Sequence, residues 1–466
     1  MGMNGLSLFL LAGTLLLAGC STETSGKDSK PEEGAKATLE TYNYPSGVSK
    51  SRKYFVSVDG VAQTVYPTDE AHICTFGCDG EVSVSVTLMS EVVKEAALRP
   101  LGKNYSYEIT DAQTILFKVK PGDRVVAEFN GIEQGQLFIF ANPLSEKPAQ
   151  TEGLLLFEAG KTYNDSYIRL TDNQTIYLEG GSVLKAKICA DNAKNVKILG
   201  YGILDTWGND ADISSIRFLG TVGAQVDGPV ILGDGGRVFF NAMSSNVTVN
   251  NTKIIGRVGG VQCDALDLYG CHDYKITSCF AYGNDDTYCI KTWKWSYKGE
   301  SYNISFEDCI ARNTRGNSFE IGYETGLDIH DITYKDIYSI HSSGGADNTM
   351  RRGAVTIHNG SAGHIYDIRY EGVHIEDPLE FGIDMRILKS SYELGAGETW
   401  APGIIDKVYL KDVKMYRQAP QGNTLKGYDS THKISVEFEN LEIAGKKISS
   451  AAEGNFAVSN ASASFK

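Results

Sequence analysis

The chain has 466 residues, 42% of them hydrophobic and 22% charged, with 50 glycines and 25 tyrosines. That length exceeds one ordinary globular core, and the composition excludes a disordered chain. A net charge of −14 argues against nucleic acid as a partner, because phosphate backbones are held by basic surfaces.

Residues 1–20 read as a targeting segment rather than as part of the fold. The apolar run from Leu6 to Leu17 is too short to span a membrane comfortably. It ends in Leu17-Ala18-Gly19-Cys20, which resembles the lipobox of bacterial lipoproteins. The resemblance implies cleavage before Cys20, lipidation of its thiol, and an exported protein anchored in the cell envelope, periplasmic or at the cell surface. Residues 21–40, rich in Ser, Glu, Lys and Gly, read as a flexible tether.

Residues 41–148 alternate apolar and polar side chains in short runs. Strands are predicted at Tyr54–Val58, Val82–Leu88, Ile115–Val119, Arg124–Phe129 and Leu137–Phe140, separated by turn signals such as Asp59-Gly60 and Pro121-Gly122. Such runs predict a small antiparallel β-sandwich. Strand patterning lapses between Asn142-Pro143 and Pro148.

From residue 149 to 466 a short signature recurs: Asn or Asp, then apolar, polar, apolar. It begins at Asn195, Asn246, Asp273, Asn303, Asp331 and Asp367, and a last version begins at Lys407. Its first apolar residue recurs at intervals of 51, 27, 30, 28, 36 and 40 residues. A repeat of this length means a stacked solenoid. Each unit lacks a helix and holds too few strands for a propeller blade, so a parallel β-helix is expected. The longest interval is two coils, or one coil with a long loop. The sandwich and the segment after about residue 430 are the expected end caps. A capped solenoid has no need of a partner, so a monomer is expected. Cys74 and Cys78 could pair in a loop or bind metal, whereas Cys189, Cys263, Cys271, Cys279, Cys289 and Cys309 read as buried packing residues.

Strands one coil apart stack at about 4.8 Å, so residues distant in sequence share one face. Asp264 lies on one coil, Asp285 and Asp286 on the next, and Asn317 and Glu320 on a third. Crowded carboxylates split their pKa values, which provides one protonated donor and one ionised base. Glycoside hydrolysis requires that combination. Adjacent strand residues point to opposite faces, so Asp285 and Asp286 must sit at a bend, for which Gly283 and Asn284 prepare. Trp293 and Trp295 could stack on sugar rings. Lys291 could tune the aspartate pair or bind a hydroxyl. Arg351, Arg352, His358 and Arg386 could bind substrate oxygens, and Glu320 and Glu324 could line the cleft. Clustered oxygens also suit calcium, but no spaced aspartate loop occurs, and neither a metal nor a cofactor is expected.

The segments Cys263-Asp264, Asp285-Asp286-Thr287-Tyr288-Cys289-Ile290-Lys291 and Gly316-Asn317-Ser318-Phe319-Glu320-Ile321-Gly322 resemble the polygalacturonase and dextranase clan, glycoside hydrolase families 28 and 49. The resemblance implies a right-handed single-stranded parallel β-helix and hydrolysis with inversion. Asp285 then matches the proton donor, and Asp264 and Asp286 the residues that hold and activate water. Gln262 stands where polygalacturonases have asparagine, and Gly316-Asn317-Ser318 where they have Gly-His-Gly. The expected substrate is an α-linked, dextran-like glucan or a pectic polysaccharide, and these departures move weight toward a neutral glucan or a different polysaccharide. Two other classes remain open: a polysaccharide lyase or epimerase, and a non-catalytic glycan-binding surface protein.

Overall fold

Alternating side chains form strands where the alternation predicts them. Val82–Leu88 buries every second residue, and Tyr54–Val58 buries Tyr54, Val56 and Val58. With Val61–Gln63, Tyr107–Ile109 and Thr114–Val119 they form a five-stranded antiparallel sheet. Facing it is a six-stranded sheet built on Ala71–Cys78 and Gln136–Asn142. These two strands pair in parallel, so the sandwich is not wholly antiparallel. Both are buried along nearly their whole length, as parallel strands covered on two faces are. Cys74, Phe76, Leu137 and Ile139 enter the sandwich core. Ile73, Phe138 and Phe140 pack outward, against the solenoid. The first strand, Leu39–Thr41, begins inside the stretch read as tether.

A computed structural model supplies these coordinates and describes residues 37–131, 135–208, 214–234, 236–257, 263–342, 352–390 and 399–466. Ala37–Lys466 forms one compact unit. Cys20, Gln262 and Arg351 lie outside the described residues.

Among the described residues from Leu154 onward, twenty-nine strands join one sheet whose strands pair with their equivalents one coil away. This is a parallel β-helix. Three ladders run along it. The first carries the recurring signature. Its second apolar residue forms a continuous inward column, Ile198–Val226–Val249–Ile276–Phe306–Tyr334–Tyr370–Leu410. All eight are in the core, and Phe306, Tyr334 and Tyr370 stack at 4.9 and 4.6 Å. Burying each such side chain contributes roughly 1.5–3 kcal/mol.

The first signature residue turns the chain. Asn195, Asn246, Asp273, Asn303, Asp331, Asp367 and Lys407 all have positive φ, between 50° and 57°. Asn and Asp tolerate that left-handed region better than other non-glycine residues. The long interval is two coils. Gly223, at φ 74°, takes the asparagine's place ahead of Gln225-Val226, which pair with both flanking signatures.

Two expectations about caps change. The sandwich lies along the side of the solenoid: Phe138 and Phe140 share a cluster with Val183, Ile203, Val230, Ile255, Phe280 and Ile310 from successive coils. Arg124 and Arg312 reinforce the contact, Arg124 through Asp308 at 2.6 Å and Arg312 through Gln136 at 2.7 Å. After residue 430 the chain continues the stack, with Ile434–Ile443 and Ala461–Phe465 in parallel register on the first ladder. Outward apolar residues on one face of the middle coils made a lateral packing surface, which a repeat pattern alone does not reveal. The cysteines from Cys74 to Cys309 are all buried.

Candidate active site

The third ladder stacks Asp264–Tyr269, Tyr288–Thr292, Phe319–Thr325, Gly353–Asn359 and Phe381–Ile387, one strand per coil. Alternation sends Leu268, Ile290, Ile321, Ile357 and Met385 inward as one column. The intervening column, Asp267, Cys289, Glu320, Thr356 and Asp384, therefore faces outward.

Asp285 and Asp286 lie at the expected bend, between the strands Phe280–Gly283 and Tyr288–Thr292. The Asp285 amide donates to the Cys263 carbonyl at 3.3 Å, and Thr287 N donates to the Asn317 carbonyl at 2.8 Å. The Asn313 side-chain amide donates to the Asp285 carbonyl. Gly316 makes room for the bend. A Cβ there would lie 2.3 Å from the Asp285 carbonyl carbon and 2.6 Å from the Asp286 nitrogen.

The three aspartates converge, with one oxygen of each within 4.8 Å of the others. Asp264 and Asp286 are each 7% exposed, whereas Asp285 is the member that reaches solvent. Lys291 is the electrostatic hub. Its Nζ lies 3.2 Å from Asp264, 3.4 Å from Asp286, and 3.9 Å from both Asp267 and Glu324. The ammonium supplies among these carboxylates the positive charge that a bound cation would otherwise bring.

This geometry separates the protonation states. Burial, reinforced by the neighbouring Asp286 charge, raises Asp285 to about 6. Burial also pushes Asp286 up, but Lys291 and hydrogen bonds from its neighbours outweigh it and hold that carboxyl below the usual range. Burial and the Asp267 charge raise Asp264 well above its ordinary value. Around pH 5 the bend carries a protonated, accessible Asp285 beside an ionised, sheltered Asp286.

Several residues expected to touch substrate instead lie behind the trio. Asn317 donates through Nδ2 to Asp286 Oδ1 at 3.0 Å and to Glu320 Oε2 at 2.6 Å. Glu320, expected at the cleft rim, is fully buried, and burial raises it well above its ordinary value. His358 Nδ1 lies 2.8 Å from Glu320, and its Nε2 lies 3.0 Å from Asp384. Arg386 Nε donates to both Asp384 oxygens, at 2.7 and 2.8 Å, and Nη2 donates to Thr424 Oγ1. Lys291 is likewise buried rather than presented to a ligand. Arg352 is 3% exposed, and its charge lowers Asp285. Trp293 stacks on Trp295 at 5.1 Å and on Tyr297 at 5.6 Å, and Trp295 is exposed.

The scan against family models finds no match, and no curated protein matches the sequence. Solved structures do. The fold matches that of Dex49A from Penicillium minioluteum. The match covers 91% of this chain and 96% of that one, with a TM-score of 0.67 at 15% identity. An exopolygalacturonase from Thermotoga maritima aligns over 64% of this chain and 85% of its own, with a TM-score of 0.49 at 14% identity. A polygalacturonase from Erwinia carotovora ssp. carotovora aligns over 68% and 88%, with a TM-score of 0.47 at 15% identity. The Dex49A likeness spans the sandwich as well as the solenoid.

Sequence reasoning missed Asp267, Asp384, Arg237 and Tyr269. Asp267 and Asp384 occupy outward positions on the site's own ladder. Strand register, set by coil lengths that vary from turn to turn, brings Asp267 to Lys291 and Asp384 to His358. The alternation Asp267-Leu268-Tyr269 was a usable signal, since it turns both polar residues to one face.

Proposed function

We propose that this chain is a glycoside hydrolase that cleaves a neutral polysaccharide, an α-glucan, with inversion. The observation that carries the reading is the split aspartate cluster: one accessible carboxyl raised to about 6, beside two sheltered ones joined through Lys291. Asp285 protonates the leaving glycosidic oxygen, and Asp286, ionised, takes a proton from the attacking water. Asp264 orients that water, and Lys291 keeps Asp286 charged at acidic pH.

Exposure favours inversion. Asp264 and Asp286 are 7% exposed, and Asn317 and Lys291 tie Asp286 down. So held, Asp286 is suited to take a proton from a water rather than to bond a sugar carbon. One observation favours retention: the oxygens lie within 4.8 Å, nearer to the about 5–5.5 Å of retaining pairs than to the about 6.5–9.5 Å of inverting ones. The anomeric proton signal of the first-formed product, followed by NMR, decides between the two.

Charge favours a neutral substrate. Lys291 faces four carboxylates and Arg386 is clamped by Asp384, so neither serves a uronate. The net charge of −14 also repels polyuronates. The fold likeness to Dex49A from Penicillium minioluteum is compatible with this reading. A polysaccharide panel with reducing-end detection tests it. New reducing ends from α-glucans support it; unsaturated uronates absorbing in the ultraviolet sink it in favour of a lyase. We further propose that Cys20 is lipidated and anchors the enzyme in the cell envelope. Mass spectrometry of the mature N-terminus from the native host tests that.

A further inference from the structure

A cavity of about 190 Å³ opens at Arg237 and Tyr269, next to the Asp267–Lys291 pair. Its walls include Phe240, Tyr269, Trp293 and Tyr297, with Arg217 and Arg237 among them. Its volume is below the roughly 300–1,000 Å³ of pockets that hold drug-sized ligands, so the cavity suits one sugar ring rather than several.

Register places it along the ladder. Arg217, Phe240 and Asp267 stack in one column on three successive coils. Tyr269 pairs directly with Lys291, whose Nζ lies 5.6 Å from its ring. At about 4.8 Å per coil, Arg217 is two coils from Asp267 toward the N-terminal end. The cavity therefore lies one or two sugars from the bond held at Asp285.

The wall is built before any ligand arrives. Trp293 and Tyr297 are parallel within 5° at 5.6 Å, Tyr269 lies 5.3 Å from Trp293, and Phe240 lies 5.4 Å from Tyr297. Flat aromatic faces suit the C–H face of a pyranose. Both arginines already hold a carboxylate, each shared with a second cation: Asp191 with Arg169 at 3.0 Å and Asp267 with Lys291 at 3.9 Å. Arg217 makes bonds of 3.1 and 2.6 Å to Asp191, and Arg237 lies 2.9 Å from Asp267 and 3.1 Å from the Tyr269 hydroxyl. Of the five N–H donors on each guanidinium, these contacts use only part. Among the described residues the buried Trp293 indole N–H has no hydrogen-bond acceptor, and a sugar hydroxyl would supply one.

We infer that this cavity is a subsite for one uncharged hexosyl residue of an α-glucan, on the N-terminal side of the cleaved bond. The inference rests on the hydrolase reading for the position of that bond and for the α-glucan identity of the chain.

The test uses Asp285→Asn, which leaves bound sugar uncut, titrated with uncharged α-gluco-oligosaccharides of increasing length and with oligogalacturonates. Tryptophan fluorescence and calorimetry report binding. Expected is binding of the uncharged series, weakened about tenfold by Tyr297→Ala and about fivefold by Trp293→Phe, which keeps an aromatic ring and removes the indole N–H. Matching far-ultraviolet circular dichroism and melting curves show that the variants fold. Unchanged affinity in both variants, binding confined to the charged series, or no binding at all overturns the subsite. Binding by the Asp285→Asn protein while the wild type releases no reducing ends sinks the hydrolase and leaves the subsite standing.

Discussion

Lys291→Met removes the ammonium at the centre of the site while keeping a chain of similar length. At an effective dielectric of about 20, unit charges separated as Lys291 is from the ionised Asp286, by 3.4 Å, attract by about 5 kcal/mol. Desolvation offsets part of that, and removing one partner of a buried pair costs about 3–5 kcal/mol. At Asp286 burial is the largest single influence, and Lys291 together with hydrogen bonds from Glu320 and Asn317 outweighs it and holds the carboxyl low; removing the ammonium shifts the balance toward burial, and Asp286 keeps its proton to higher pH. Asp264 and Asp285, already raised, rise further, because Lys291 lowers both. The window in which Asp286 is ionised and Asp285 protonated therefore moves to higher pH. On the acid side, about 3 kcal/mol lost from water activation lowers kcat/KM by about 100-fold. The assay is a pH profile of kcat/KM on the best substrate of the panel, with melting curves at each pH to separate unfolding from chemistry. A profile that stays in place, with activity within about threefold of wild type, refutes the hub.

Three further outcomes are expected. Asp285→Asn lowers turnover by about 10²–10⁴-fold and abolishes the alkaline limb near pH 6, where the wild-type donor loses its proton. Because Asp285 titrates above its unfolded value, it adds stability at low pH that is lost as pH rises from about 4 to 6. At pH 8 the Asn variant should be more stable by up to about 3 kcal/mol, read from denaturant midpoints. Gly316→Ala forces a Cβ against the Asp285–Asp286 peptide; kcat should fall at least tenfold with a stability loss of about 1–3 kcal/mol, and wild-type kinetics would show that the bend tolerates the shift. Lys407→Asn relieves a left-handed lysine at φ 50°. The gain of about 1 kcal/mol exceeds the exposed 3.5 Å pair with Asp367 that it removes, and urea unfolding measures it.

The repeating Asn or Asp signature determined the solenoid by itself, because one residue tolerant of positive φ per coil and two inward apolar positions after it are local requirements. The bend at Asp285-Asp286 was legible for the same reason, since two adjacent carboxylates cannot share a strand face. The signature missed the coil where Gly223 replaces asparagine: glycine meets the same backbone demand without the side chain that makes the pattern visible. Strand positions in the sandwich also followed from alternation. Their sheet order did not, because the parallel pairing of Ala71–Cys78 with Gln136–Asn142 joins segments far apart in the chain. The distinction between residues that reach substrate and residues that support the site was decided only by the tertiary structure. Asn317, Glu320, His358 and Arg386 have the chemistry of ligand contacts, but burial and mutual hydrogen bonds commit them to one another. Register across coils of unequal length sets which acids surround Lys291, and long-range packing fixes that register.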